Sequence, residues 1–197
     1  MIRHKRVIHS FRLMIALLPF TWAATAASQT SPGCAESEPY EQLDFWVGEW
    51  NVHVGNDLVG QNRIEKALDG CAVFEHWTAS DGSEGKSLFF VDYDRHWVQV
   101  WVTAQAMTPG GVKEKVMVDD PPDGSVRFQG VIRHESVDPW LDRTTLTPLD
   151  NGEVRQLIEI SLDGGETWNP TFDAVYRPKR PSEPSYRREF RGFDPDL

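Results

Sequence analysis

The sequence predicts an all-β protein, an antiparallel up-and-down barrel of about ten strands preceded by a short helical turn. Three observations carry that expectation. Short segments rich in β-branched and aromatic residues follow one another at 49–55, 58–67, 71–79, 86–93, 96–104, 112–118, 125–133, 141–147, 153–162 and 167–177, the spacing of consecutive antiparallel strands. Asp69-Gly70, Asp81-Gly82, Asp123-Gly124, Asn151-Gly152 and Asp163-Gly164 punctuate them, and such dipeptides supply the positive φ of tight hairpin turns. The segment from His96 to Thr103 sets Trp97, Gln99, Trp101 and Thr103 on one face and Val98, Val100 and Val102 on the other, because side chains alternate along a strand. Neither face is wholly polar, so both are expected to pack, and a sheet curled into a barrel achieves this with no exposed edge. A two-sheet sandwich is the alternative.

Ahead of the strands, Tyr40, Leu43, Phe45 and Trp46 have the order of one helical turn that lays aromatics on the core. Further upstream, Arg3, Lys5, Arg6 and Arg12 precede an apolar run from Leu13 to Ala23 and a small-residue site, Ala24-Thr25-Ala26. This is the pattern of a secretory signal peptide, with cleavage expected after Ala26, and the run is short for a membrane span of ~20 residues. The chain therefore divides into a signal peptide at 1–26, an N-terminal segment at 27–43, the barrel at 44–177 and a Pro-rich charged tail at 178–197 that composition marks as disordered. Periplasmic or secreted localisation follows.

Residues 1–26 carry four basic and no acidic side chains, so their removal leaves 16 basic against 30 acidic groups and takes the formal net charge from −10 to −14. Such a surface repels phosphate backbones and anionic lipid, which argues against nucleic acid and against stable membrane insertion and favours a soluble monomer. Cys34 and Cys71 both remain and are expected to form a disulfide in an oxidising compartment. The histidines left, His53, His76, His96 and His134, show no metal-ligand spacing. Neither a G-x-S-x-G elbow nor a phosphate-cradling glycine motif occurs. No metal or cofactor is expected.

What remains is a set of polar residues embedded in apolar strands: Asn62, Glu75, Gln99, Arg143, Gln156 and Glu159. Together with Trp50, Trp77 and Trp101 they describe an amphipathic pocket. Indole rings would cover a small, partly apolar molecule, while Glu75, Gln99 and Arg143 fix its polar end. The competing structural reading makes the Glu and Arg residues ties between strands at the barrel end. A catalytic reading uses Glu75 or Glu159 as general base beside Arg143 in a cofactor-independent isomerase, lyase or hydrolase. A further alternative is an envelope interaction module that uses the tail.

Several separated pieces carry a family likeness: Asp44-Phe45-Trp46-Val47-Gly48-Glu49-Trp50, Asn62-Arg63-Ile64, Gly70-Cys71 with Glu75 and Trp77, Trp97-x-Gln99-x-Trp101-Val102, Arg143-x-Thr145, Val154-Arg155-Gln156, and Ser161 to Trp168. In that order, and spanning 44–176, they resemble a family of exported bacterial proteins of unknown function with a calycin or lipocalin-like barrel. The resemblance implies a fold and no established reaction. Leu146 departs from it, standing where an aromatic is expected.

One of these pieces, Ser161-Leu162-Asp163-Gly164-Gly165-Glu166-Thr167-Trp168, also resembles the Asp box of sialidase propellers. A propeller needs that unit once per blade, about every 40–50 residues, and no second copy follows Asn51. The stretch is expected to be the hairpin between the last two strands, with Ser161 and Asp163 bonded to turn N–H groups and Trp168 folded back as a cover.

Overall fold

The computed structural model describes residues 33–119, 121 and 123–179. The signal peptide expected at 1–26 lies outside the described residues, as does all but the first two positions of the tail expected at 178–197. The ten strands are β1 Gly48–Val54, β2 Asp57–Ala67, β3 Ala72–Ala79, β4 Glu84–Val91, β5 Trp97–Thr103, β6 Val112–Asp119, β7 Val126–His134, β8 Val137–Pro148, β9 Val154–Ser161 and β10 Asn169–Pro178. Each pairs antiparallel with the next, and β10 returns to pair with β1 through Trp50 with Pro178 and Val52 with Tyr176. The sheet is a closed barrel, which excludes the sandwich. The glycines of the five turn dipeptides all have positive φ, between 76° and 86°.

Strand limits fall within two residues of those read from the sequence, except that β8 starts at Val137 instead of 141. The extra residues include Pro139, which cannot donate to a ladder. The barrel accommodates it in a bulge: His134 pairs with Val137 and Ile132 with Trp140, so Asp138 and Pro139 together oppose Arg133.

Alternation sends Trp97, Gln99 and Trp101 of β5 into the lumen, and the valines form the outer wall, buried at Val98 and open at Val102. The hairpins after β2, β4, β6 and β8 lie at one end of the barrel and those after β1, β3, β5, β7 and β9 at the other. The first end is closed. A single 3-10 turn at Asp44–Trp46 drops Trp46 into it, edge-on to Phe89 at 5.5 Å, and Phe89 in turn meets Phe128 at 5.5 Å. Leu43, Trp46, Val73, Phe89, Val126, Phe128, Leu146 and Tyr176 are buried there, Leu146 filling core in place of the expected aromatic.

The plug is fastened by groups that the strands supply. Trp50 Nε1 donates to the Trp46 carbonyl at 2.9 Å, Trp97 Nε1 donates to the Pro39 carbonyl at 3.1 Å, and Lys66 Nζ lies 2.6 Å from Asp44. Cys34 and Cys71 form the expected disulfide, with 4.9 Å between their Cα atoms, and it ties the start of the plug to the turn after β2. A bridge across 37 residues stabilises by about 4 kcal/mol in the chain-entropy picture. Replacing both cysteines by serine is expected to lower the unfolding free energy by up to about 4 kcal/mol in a denaturant titration, with the far-UV signature of the barrel retained.

Candidate functional site

The other half of the lumen is not filled. A partly enclosed cavity of about 290 Å³ occupies it, close to the lower end of the ~300–1,000 Å³ range of small-molecule sites. Its upper wall is apolar: Trp77 of β3, Trp101 of β5, Ile158 of β9 and Phe172 of β10, with Trp77 and Phe172 edge-on at 6.3 Å. Two glycines give the indoles their room. A Cβ on Gly60 would come within 2.5 Å of Trp77, and one on Gly85 within 2.1 Å of Trp101, so each ring lies over a strand that has no side chain beneath it.

The floor is a belt of buried polar groups. Asn62 Nδ2 donates to Glu75 Oε1 at 2.8 Å, and the Ser87 hydroxyl donates to Glu75 Oε2 at 2.5 Å. Because that proton is committed, the Ser87 oxygen accepts from Gln99 Nε2 at 3.1 Å, which fixes the amide with Oε1 as an acceptor. Gln99 Oε1 is buried with no hydrogen-bond partner, and Gln99 lines the cavity. Such an orphan costs ~1–3 kcal/mol. On the far side Tyr176 donates to Gln156 Oε1 at 2.7 Å, leaving the Gln156 amide nitrogen as a donor at the cavity wall.

Four charged groups complete the floor. Asp142, almost wholly buried, holds Lys113 at 2.6 Å and also pairs with Lys115, whose Nζ donates to Thr144 Oγ1 at 2.6 Å. Burial presses the Asp142 carboxyl upward, but the charges of Lys115 and Lys113 outweigh it and hold the group below the usual carboxylate range. Lys115 is pulled down to about 8, chiefly by burial, against the attraction of Asp142. Glu75 is pushed up by burial, which its bonds from Ser87 and Asn62 and the charge of Lys115 offset only in part. Burial also raises the Tyr176 phenol well above its ordinary value, so it remains a neutral donor.

Of the residues read from the sequence as binding a ligand, Glu75, Trp77, Gln99, Trp101 and Gln156 line the cavity. Asn62 stands behind Glu75, and Trp50 belongs to the closed end, where its indole is bonded to Trp46. Arg143 and Glu159 are corrections. Asp142 and Thr144 face the lumen, so Arg143 between them points outward, and so does its cross-strand neighbour Glu159. There Arg143 donates to Glu159 at 2.8 Å and lies 3.8 Å over the ring of Trp168, an outer tie between strands. Lys113, Lys115 and Asp142 went unread. Lysines amid valines in Val112-Lys113-Glu114-Lys115-Val116 suggest a solvated face, yet their phase matches that of Met117, a lumen residue packed against the core.

The hairpin from Ser161 to Trp168 sits at the open end and is built as expected. Asp163 Oδ1 accepts from the Thr167 N–H at 2.9 Å, Ser161 Oγ accepts from the Gly165 N–H at 2.8 Å, and Trp168 Nε1 donates to the Gly165 carbonyl at 3.1 Å. The Thr167 hydroxyl and N–H, with the Ser161 hydroxyl, donate to Asp163 and hold its carboxyl far below its ordinary value. No protein-family model matches the chain, and no curated protein is significantly similar to it.

The placements predict different costs inside and outside. Asp142→Asn strands two ammonium groups and is expected to cost about 3–5 kcal/mol in urea unfolding. Replacing Arg143 and Glu159 together by glutamine, on the partly solvated outer wall, should cost about 1 kcal/mol or less. A second check concerns pH. A carboxyl raised on folding binds its proton more tightly in the native state, so stability falls as pH climbs from the unfolded value of 4.5 through the folded one. Glu75→Gln keeps an acceptor for Asn62 and is expected to flatten that fall, read from urea midpoints as pH is raised from 4.5.

Proposed function

We propose that the chain is an exported binding protein of the calycin-like kind, which holds one small, partly apolar molecule in the open half of its barrel. The observation that carries this reading is the buried acceptor Gln99 Oε1, unpaired at the wall of a cavity of about 290 Å³ that Trp77, Trp101 and Phe172 roof with aromatic surface. A lumen needed only for stability would be filled at both ends, as it is around Trp46, since interiors pack densely. Here a polar group bears the cost of burial without a partner, and a ligand N–H or O–H would relieve it.

Export is supported by the Cys34–Cys71 bridge, which suits an oxidising compartment. A water-facing outer wall is supported by the ion pairs it carries. Arg155 grips Asp173 through two bonds of 2.7 Å, and Arg143 holds Glu159 at 2.8 Å; a lipid-facing band has no such charges. The reading in which a glutamate and Arg143 act together on a substrate finds no support in the cavity: Arg143 is on the far side of the sheet from Glu75, and Glu159, bonded to it, stands outside the lining as well.

Titration with the apolar fluorophore N-phenyl-1-naphthylamine tests the proposal. Saturable binding that quenches tryptophan emission is expected, with affinity reduced about tenfold or more in Trp101→Ala, which removes a ring of the wall. Non-saturable uptake, or affinity unchanged in both Trp101→Ala and Trp77→Ala, would refute it.

A further inference from the structure

The charges on the cavity floor do not cancel in a way that suits every ligand. Lys113 and Lys115 share a single carboxylate, that of Asp142. The other acid, Glu75, has both oxygens engaged by Asn62 and Ser87 and lies where burial favours its neutral form. Two ammonium groups therefore face one carboxylate, that of Asp142, and Glu75 has no oxygen left to offer a ligand. The floor's hydrogen-bonding capacity leans the same way. An ammonium has three protons; Lys115 directs two at Asp142 and Thr144, and Lys113 directs one at Asp142. The protons left over, with the amide nitrogen of Gln156, make a set of donors at the cavity.

Cross-strand register arranges these groups in depth. Lys113 pairs with Trp101 and Lys115 with Gln99 across β5 and β6. Trp101 and Lys113 therefore form the upper tier, where the Lys113 side chain is one-fifth exposed, and Gln99 and Lys115 form the buried lower tier. A flat body against Trp101 would carry an acidic group down past Lys113 to Lys115.

We propose that the ligand is a flat, mainly apolar monoanion, a carboxylate held by Lys113 and Lys115, with its rings between Trp101, Trp77 and Phe172 and a hydroxyl or N–H beside the carboxylate that donates to Gln99 Oε1. This rests on the binding reading above and adds the sign of the charge. A cation would approach two ammonium groups with every oxygen of Asp142 and Glu75 already engaged. A neutral molecule would leave the remaining ammonium protons facing the cavity without an anion.

Three probes with one ring system separate the possibilities by calorimetry: 2-naphthoate, 2-naphthalenemethanol and 2-naphthylmethylammonium. At about pH 7 the carboxylate is expected to bind about tenfold or more tighter than the alcohol, the scale of a charge-assisted hydrogen bond, and the ammonium weakest. Lys113→Gln, at a partly exposed position, should cut that preference to about threefold or less with a melting curve close to the parent's. In the unaltered protein the preference should also decline as pH rises through about 8, where Lys115 loses its proton. Glu75 also faces Lys115, and its ionisation would act in the same direction, while Asp142 stays charged and Tyr176 neutral.

Equal or tighter binding of the alcohol or the ammonium would overturn the anion proposal and leave the binding barrel standing. A preference that survives in both Lys113→Gln and Lys115→Gln would also overturn it. Failure of all three probes to bind saturably would remove the binding reading itself.

Discussion

Closure of the sheet by β10 against β1 is the constraint on which the rest of the molecule depends. Once Val52 pairs with Tyr176 and Trp50 with Pro178, no strand has a free edge, and every second side chain points into a shared lumen. That lumen must then be occupied over its length. At one end the chain occupies it with its own Trp46, Leu43 and surrounding aromatics. At the other it does not, and there the inward positions change from apolar to polar and charged.

The two halves are not independent. Tyr176 packs in the aromatic core yet donates its phenol proton to Gln156 and accepts from Asn62, so the floor of the cavity is also the roof of the core. From Tyr176 the bonds run through Asn62 to Glu75, then Ser87 and Gln99. A chain of this kind in a low-dielectric interior is stiff when satisfied and costly where it is not. It is satisfied everywhere but at Asn62 Oδ1 and Gln99 Oε1, and only Gln99 lies at the cavity wall. The plug, held by Trp97, Lys66 and the Cys34–Cys71 bridge, keeps this platform from being undermined from below.

How much of this was legible depended on whether local chemistry or long-range register decided it. Turn glycines announced the hairpins because positive φ is a local demand, and the alternation around Trp97 announced a two-faced strand because the pleat has a period of two. Glu75, Gln99 and Gln156 were legible as polar residues in apolar strands. Arg143 and Glu159 had that same signature but fell on the other side of the pleat, where a guanidinium can cover Trp168 and still reach water. Lys113 and Lys115 went unread for the opposite reason: charge alone does not mark a lumen residue, yet long apolar stems and a shared aspartate let them stand inside.

By itself, then, the sequence determined what one or two neighbouring residues can dictate: where the chain turns, which side chains share a face, that the class is all-β, and that one Asp-box-like hairpin is a turn and not a propeller blade. Only the tertiary structure decided which face is the inside. That choice belongs to closure, because a single strand alternates equally well in either phase, and the phase is set when β8 settles beside β7 and β9 with Asp142 and Thr144 turned to Lys115. The same act placed Arg143 outside and gathered two lysines, an aspartate and a glutamate from strands far apart in sequence around one cavity.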